Sequence, residues 1–208
     1  MKVRGFLGFL PRPLEPRFDR VTSYLVERHA TGLNELRART LATQVQAAAD
    51  AMTRRGVPVR HLYSIFVPED ETCFHLLEAP SNEAVRTACS SAGLTFERIV
   101  ETVGPSAATE SITERGVPMA QYLVERHLPG FPPDQLPAAA GAAKQKAAEL
   151  DGEGTEIRYI RSTWVPDGER CYCLFEGSSR EAVAEVQKRA NLPYEQIYEA
   201  AFLTAEEV

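Results

Sequence analysis

The sequence predicts an α+β fold in which two copies of one small module pack together within a single chain. Three observations support this prediction. The hexapeptide Tyr-Leu-Val-Glu-Arg-His at residues 24–29 recurs unchanged at residues 122–127, an offset of 98. The same offset then relates many later positions without a gap, which is typical of an internal duplication. Within each copy, apolar residues follow the period of a strand in some segments and of a helix in others.

Each copy is predicted to form a strand, a helix, two strands, a second helix and a last strand. Ser81 and Ser179 have the residue type that caps the start of a helix, and Gly56 and Gly154 suit the end of one. The predicted elements of the first copy are a strand at 24–29, a helix at 34–55, a hairpin of 59–67 with 72–78, a helix from 81 and a strand at 96–103. The second copy repeats this order.

This βαββαβ order is the ferredoxin-like motif. Its helices cover one face of the sheet, so the other face needs a covering layer. We therefore expect the two ferredoxin-like repeats to pack sheet to sheet as a single-chain, pseudo-dimeric α+β barrel.

The predicted organisation has four parts. Residues 1–23 form an N-terminal arm, 24–103 the first repeat, 104–121 a linker rich in glycine and proline, and 122–203 the second repeat. The arm carries an apolar run that Pro11 ends, which is shorter than a signal peptide requires. We expect a flexible tail here, with a docking segment as the alternative.

The composition of the chain argues against nucleic acid and membranes as partners. The formal charge of −6 argues against a general phosphate-binding surface, so we expect no nucleic-acid partner. No apolar stretch has the length of a membrane span. The even count of four cysteines does not imply a disulfide framework in a chain of this size, and we expect a reducing, cytoplasmic setting.

Four residues of the first repeat are the candidate site. Glu27 and His29 share one face of the first strand, and Cys73 and His75 share one face of the third. We expect this face to point away from the helices, into the barrel. The floor under the helices would then be formed by Val26, Phe74 and Leu76. A register with Glu27 opposite His75 and His29 opposite Cys73 would bring the four within reach of one ligand.

The second repeat supplies a matching set. It consists of Glu125, His127, Cys171 and Cys173. His75 and Cys173 occupy equivalent positions and differ in shape, but both residue types bind metals. Carboxylate, imidazole and thiolate together suit nickel, zinc, copper or cobalt. The alternatives are an organic ligand in the same cavity and purely structural roles.

Three segments carry a family resemblance. They are Tyr-Leu-Val-Glu-Arg-His-Leu-Pro-Gly at 122–130, Arg-Tyr-Ile-Arg-Ser-Thr-Trp at 158–164 and Cys-Tyr-Cys-Leu-Phe-Glu at 171–176. They resemble a family of small bacterial nickel-binding, nickel-responsive proteins, and the resemblance extends over both repeats. Members are similar in length to one repeat and pair as dimers. The resemblance implies a fused pseudo-dimer that binds nickel or a similar ion.

The sequence thus predicts a non-enzymatic metal-binding protein that buffers, stores or senses nickel or a similar divalent transition metal. We expect a monomeric pseudo-dimer that can assemble further into homo-oligomers. The alternative is a small-ligand-binding module, or an enzyme that uses the inter-sheet cavity, with Glu27, His29, Glu125 and His127 as acid–base groups. No nucleophile, base and orienting residue with specific spacing supports the enzyme.

Overall fold

The computed structural model describes residues 21–104 and 119–204. The arm and linker predictions therefore lie mostly outside the described residues. The first repeat comprises β1 (Thr22–His29), α1 (Glu35–Arg54), β2 (Arg60–Val67), β3 (Thr72–Ala79), α2 (Asn82–Ser91) and β4 (Arg98–Thr102). The second comprises β5 (Ala120–His127), α3 (Leu136–Gly152), β6 (Ile157–Val165), β7 (Arg170–Gly177), α4 (Arg180–Arg189) and β8 (Gln196–Thr204). Both repeats have the predicted βαββαβ order.

The shorter helices begin where the sequence predicts. The side chains of Ser81 and Ser179 accept hydrogen bonds from the backbone N–H groups of Ala84 and Ala182, so each satisfies an otherwise free donor of the first turn. Gly154 follows α3 with a φ of 96°, a left-handed conformation that glycine adopts without steric cost. Local sequence therefore sets these helix boundaries.

Within the described residues, eight strands form one antiparallel sheet in the order β4-β1-β3-β2-β8-β5-β7-β6. Backbone pairing joins the two repeats at two places in this part of the chain. Four residue pairs join β2 to β8, and Val103 beside β4 exchanges two backbone hydrogen bonds of 2.8 Å with Trp164 of β6. The second junction connects the two ends of the sheet, so the sheet closes into a barrel. The predicted pseudo-dimeric α+β barrel is confirmed.

Side chains from both repeats form the core inside the barrel. This core contains Leu25, Leu76, Leu123, Leu174 and Phe202 among others. Separate apolar clusters lie between the sheet and the helices, one under α1 and α2 and one under α3 and α4. Among the described residues, no helix combines the length and the apolar composition needed to cross a bilayer.

The expected register of β1 and β3 is wrong by one residue. Glu27 lies opposite Phe74, and His75 lies opposite Val26. Val26 faces the helices as expected, but Phe74 and Leu76 belong to the barrel core, and Cys73 and His75 face the helices. A shift of one residue moves every side chain to the other face. Nearly all of β3 is buried, so its sequence lacks the polar alternation that distinguishes the two faces.

Candidate functional site

Two thiols of the second repeat lie side by side beneath its helices. Cys171 and Cys173 are two positions apart on β7, so their side chains leave the same face of the strand. Both are buried, and their Sγ atoms are 3.7 Å apart. The side chains of Arg126, Ser162 and Gln187 complete the cluster.

Arg126 is a buried cation, with 3% of its surface exposed. Its Nη1 donates to Cys173 Sγ at 2.9 Å, and its Nη2 donates to the amide oxygen of Gln187. These two acceptors within the described residues are a sulfur atom and an uncharged amide oxygen, and neither is a carboxylate. A buried guanidinium is costly unless an anion neutralises it. Cys173 supplies that anion if it is a thiolate.

The environment of Cys173 favours the thiolate. The hydrogen bond from Cys171, together with the charge of Arg126 and the contact with Ser162 Oγ at 2.8 Å, lowers the pKa of Cys173 despite burial. The same hydrogen bond, reinforced by burial, raises the pKa of Cys171. The pair therefore favours a thiolate on Cys173 and a thiol on Cys171.

The first repeat has a hydrogen-bonded chain at the equivalent place. Gln46 donates through its amide nitrogen to Asp50, so its amide oxygen accepts from His61 Nδ1 at 3.1 Å. His61 Nε2 is then unprotonated and accepts from the hydroxyl of Ser64 at 2.8 Å. Ser64 Oγ in turn accepts from His75 Nδ1 at 2.6 Å.

This order of donors leaves a lone pair on Nε2 of His75. The ring is fully buried, and this nitrogen has no hydrogen-bond partner among the described residues. Burial, with the nearby His61 and Arg28, lowers the pKa of His75 from 6.5 to about 3. Burial raises the pKa of Cys73 to about 12. The pair of Cys73 and His75 is therefore neutral, unlike its counterpart.

The other predicted site residues lie elsewhere. Glu27 and Glu125 point toward the barrel side of the sheet and form ion pairs with Arg98 and Arg170, respectively. His29 and His127 are exposed at the ends of β1 and β5. The eight predicted residues therefore do not form one cluster. Within the described ranges, no group of three or more His, Cys, Asp or Glu side chains is arranged to hold a metal ion.

Sequence reasoning missed the groups around the thiols. The sequence did contain a signal for Arg126 and Ser162, because the same residue types occur at the equivalent positions of the first repeat, Arg28 and Ser64. The signal at Gln187 was weaker: this polar residue takes the place of Cys89 on the apolar face of the second helix of the repeat.

Both repeats match the same family model. The family model described as nickel responsive protein, SCO4226-like, matches residues 24–102 and again residues 122–200. No curated protein matches the chain.

Solved structures with a similar shape have very different sequences. A candidate monooxygenase from Lactobacillus acidophilus NCFM is 8% identical, with a TM-score of 0.47 over 89% of this chain and 97% of the other. An anthrone oxidase-like protein is 11% identical, with a TM-score of 0.46 over 90% and 95%. A mutant chlorite dismutase from Candidatus Nitrospira defluvii is 8% identical, with a TM-score of 0.48 over 88% and 91%.

Proposed function

The chain belongs to the SCO4226-like family of nickel-responsive proteins, and from this premise we propose that it is a non-enzymatic protein that binds nickel or a similar divalent transition ion. We place the principal site at Cys171 and Cys173 of the second repeat. The role that follows is buffering, storage or sensing of the ion.

The separation of the two thiols carries this proposal. Two thiolates at a metal–sulfur distance of about 2.3 Å in tetrahedral geometry lie about 3.8 Å apart. The Sγ atoms of Cys171 and Cys173 are 3.7 Å apart. Both sulfurs could therefore bind one ion with little movement of β7. Cys173 is already suited to this role because the hydrogen bond from Cys171, with Arg126 and Ser162, stabilises its thiolate.

The charge of the cluster indicates an exchangeable ion. A divalent ion must displace the proton of Cys171 and then lies near the guanidinium of Arg126, which repels it. Both effects weaken binding compared with a structural site of four thiolates. Moderate affinity suits a protein that responds to changes in metal concentration.

The first repeat supports a weaker second site. The lone pair on His75 Nε2 is a ligand of borderline ions, and Ser64 orients the ring through Nδ1, as outer partners of metal-bound histidines do. Cys73, two positions away on β3, would lose its proton with difficulty. We expect the second repeat to favour the softer ion.

Calorimetric titration of Ni²⁺ and Zn²⁺ into metal-free protein tests the proposal. In the wild type we expect one site of moderate affinity, with weaker binding at the second site of the first repeat. Cys171→Ala removes one ligand but leaves Arg126 and Ser162 in contact with Cys173, so we expect the fold to be retained. Affinity should fall by at least about tenfold, since changes even to outer partners of a metal commonly have effects of this size.

Proton release provides a second readout. At pH 7.5, binding should release one proton per ion, which titrations in buffers of different ionisation enthalpy measure. Cys89→Ala, at a buried cysteine outside the cluster, is the matched control and should bind as the wild type does. Unchanged binding in Cys171→Ala would contradict a site at the two thiols. Loss of binding in His127→Ala instead would place the site at the exposed strand ends.

A further inference from the structure

A pocket of about 360 Å³ lies between the end of β1 and the first turns of α1. Its lining combines three kinds of side chain. Arg28 and Arg37 are cationic, Thr31 and Thr40 carry hydroxyl groups, and Leu33 and Leu41 are apolar. This volume is within the range of sites for small organic ligands, which typically pair an apolar wall with a few polar groups.

The two arginines give the pocket a local positive charge. The Nη1 of Arg28 is held by the carbonyl oxygen and hydroxyl of Thr95, at 3.2 and 3.1 Å. Its Nε is buried and has no hydrogen-bond partner among the described residues. Arg37 is exposed on α1. Nearby, the carboxylate of Glu71 accepts a hydrogen bond from the backbone N–H of Gly32. Two guanidinium groups on the wall of one pocket favour an anion within it.

The second repeat lacks several of the side-chain types that line this pocket. At the offset of 98, Arg37 corresponds to Gln135, Thr31 to Pro129 and Thr40 to Ala138.

The equivalent arginine also differs in orientation. Thr95, which holds Arg28, corresponds to Pro193, and Arg126 instead turns inward to Cys173 and Gln187. This combination of lining side chains is therefore specific to the first repeat, and the duplication does not account for it.

We propose that this pocket binds a small organic carboxylate. The carboxylate group lies between the guanidinium groups of Arg28 and Arg37, whose planar forks match its geometry. The hydrocarbon part of the ligand packs on Leu33 and Leu41. This site is separate from the thiol pair of the second repeat, and its occupation does not depend on a metal.

Titration of benzoate into the full-length, metal-free protein tests this inference, with ¹H–¹⁵N spectra as the readout. We expect benzoate to shift the amide signals of Thr31, Leu33 and Leu41. Arg37→Gln, which introduces the residue of the second repeat, should weaken binding by about tenfold, because a hydrogen bond to a charged group is lost. Arg54→Gln removes the same charge at the other end of α1 and should change the affinity less than twofold.

Inorganic phosphate distinguishes an organic carboxylate from a simple anion. It should bind at least about tenfold more weakly than benzoate, since it gains nothing from the apolar wall. Equal affinity for both anions would overturn the assigned ligand class. Absence of benzoate shifts in the wild type, or equal weakening by Arg37→Gln and Arg54→Gln, would overturn the site itself. Because Arg37 is exposed, its substitution should leave the fold intact.

Discussion

Arg28 and Arg126 occupy equivalent positions of the two repeats, and their neighbours give them different roles. Each follows the same four residues, Tyr-Leu-Val-Glu, and precedes the histidine that ends the repeated hexapeptide. Arg126 is buried against Cys173, whereas Arg28 is turned outward and held by Thr95. The difference follows from the available acceptors. His75 is neutral and cannot balance a buried charge, but Cys173 can, because its thiolate is stabilised.

The buried histidines predict a loss of stability in acid. Burial lowers the pKa of His61 to about 4 and that of His75 to about 3, below the ordinary 6.5. Their contribution to folding is complete above pH 6.5 and is lost as pH falls toward the folded pKa values. The free energy of unfolding of the metal-free protein should therefore decrease below pH 6.5, by up to about 1.4 kcal/mol per pH unit for each histidine.

Urea unfolding between pH 7 and 4.5 measures this effect. Trp164, the single tryptophan, is buried and reports unfolding by its fluorescence. His61→Gln should make the pH dependence shallower, because one titrating group is removed. His29→Gln, at an exposed ring, should retain the slope of the wild type. Identical slopes in all three proteins would contradict the burial argument.

At the scale of elements, the repeats differ where β7 ends. A Cβ atom at Gly177 would lie 2.6 Å from Cδ1 of Ile157 on β6. The equivalent positions in the first repeat are Ala79 and Val59, which share one core cluster. A larger residue on one strand thus accompanies a smaller one on its neighbour. The total volume between strand and helix is conserved, as dense packing requires.

Gly177→Ala tests this complementarity. We expect a loss of about 1–2 kcal/mol in the free energy of unfolding, because the buried side chain of Ile157 must leave its preferred rotamer. Adding Ile157→Val, which recreates the pair of the first repeat, should recover part of that loss. A double-mutant cycle in urea measures the coupling. Additive effects would mean that the two positions do not compete for space.

At the scale of the molecule, the barrel core unites the repeats. Leu25 and Leu76 of the first repeat pack in one cluster with Leu174 and Phe202 of the second. Removing either repeat would expose this surface to water. The two repeats should therefore not unfold separately, although each has its own apolar layer under its helices.

Calorimetry of the metal-free protein should show one transition, with equal calorimetric and van't Hoff enthalpies. Phe202→Ala creates a cavity at the shared core and should cost about 3–5 kcal/mol while the transition stays single. Val183→Ala, under α4 and outside the shared core, is the control for a local core defect. Two resolved transitions in the wild type would contradict a common core.

Much of the architecture could be predicted from the sequence. The duplication, the order of elements and the helix caps depend on local residue patterns. The constant offset of 98 indicates the duplication, and Ser81 and Ser179 indicate where two helices begin. The barrel followed from the need to cover one face of each sheet. The family, too, was recognised from segments of the second repeat, and its model matches both copies.

The grouping of the candidate residues was decided only by the tertiary structure. Strand β3 is buried on both faces, so its sequence does not show whether Cys73 and His75 face the barrel or the helices. The pairing of β1 with β3 determined this, and it separated Glu27 from His75. The thiolate of Cys173 likewise depends on Arg126, which is 47 residues away in sequence. Charge and packing at such sites arise from contacts between distant segments, which local sequence patterns do not encode.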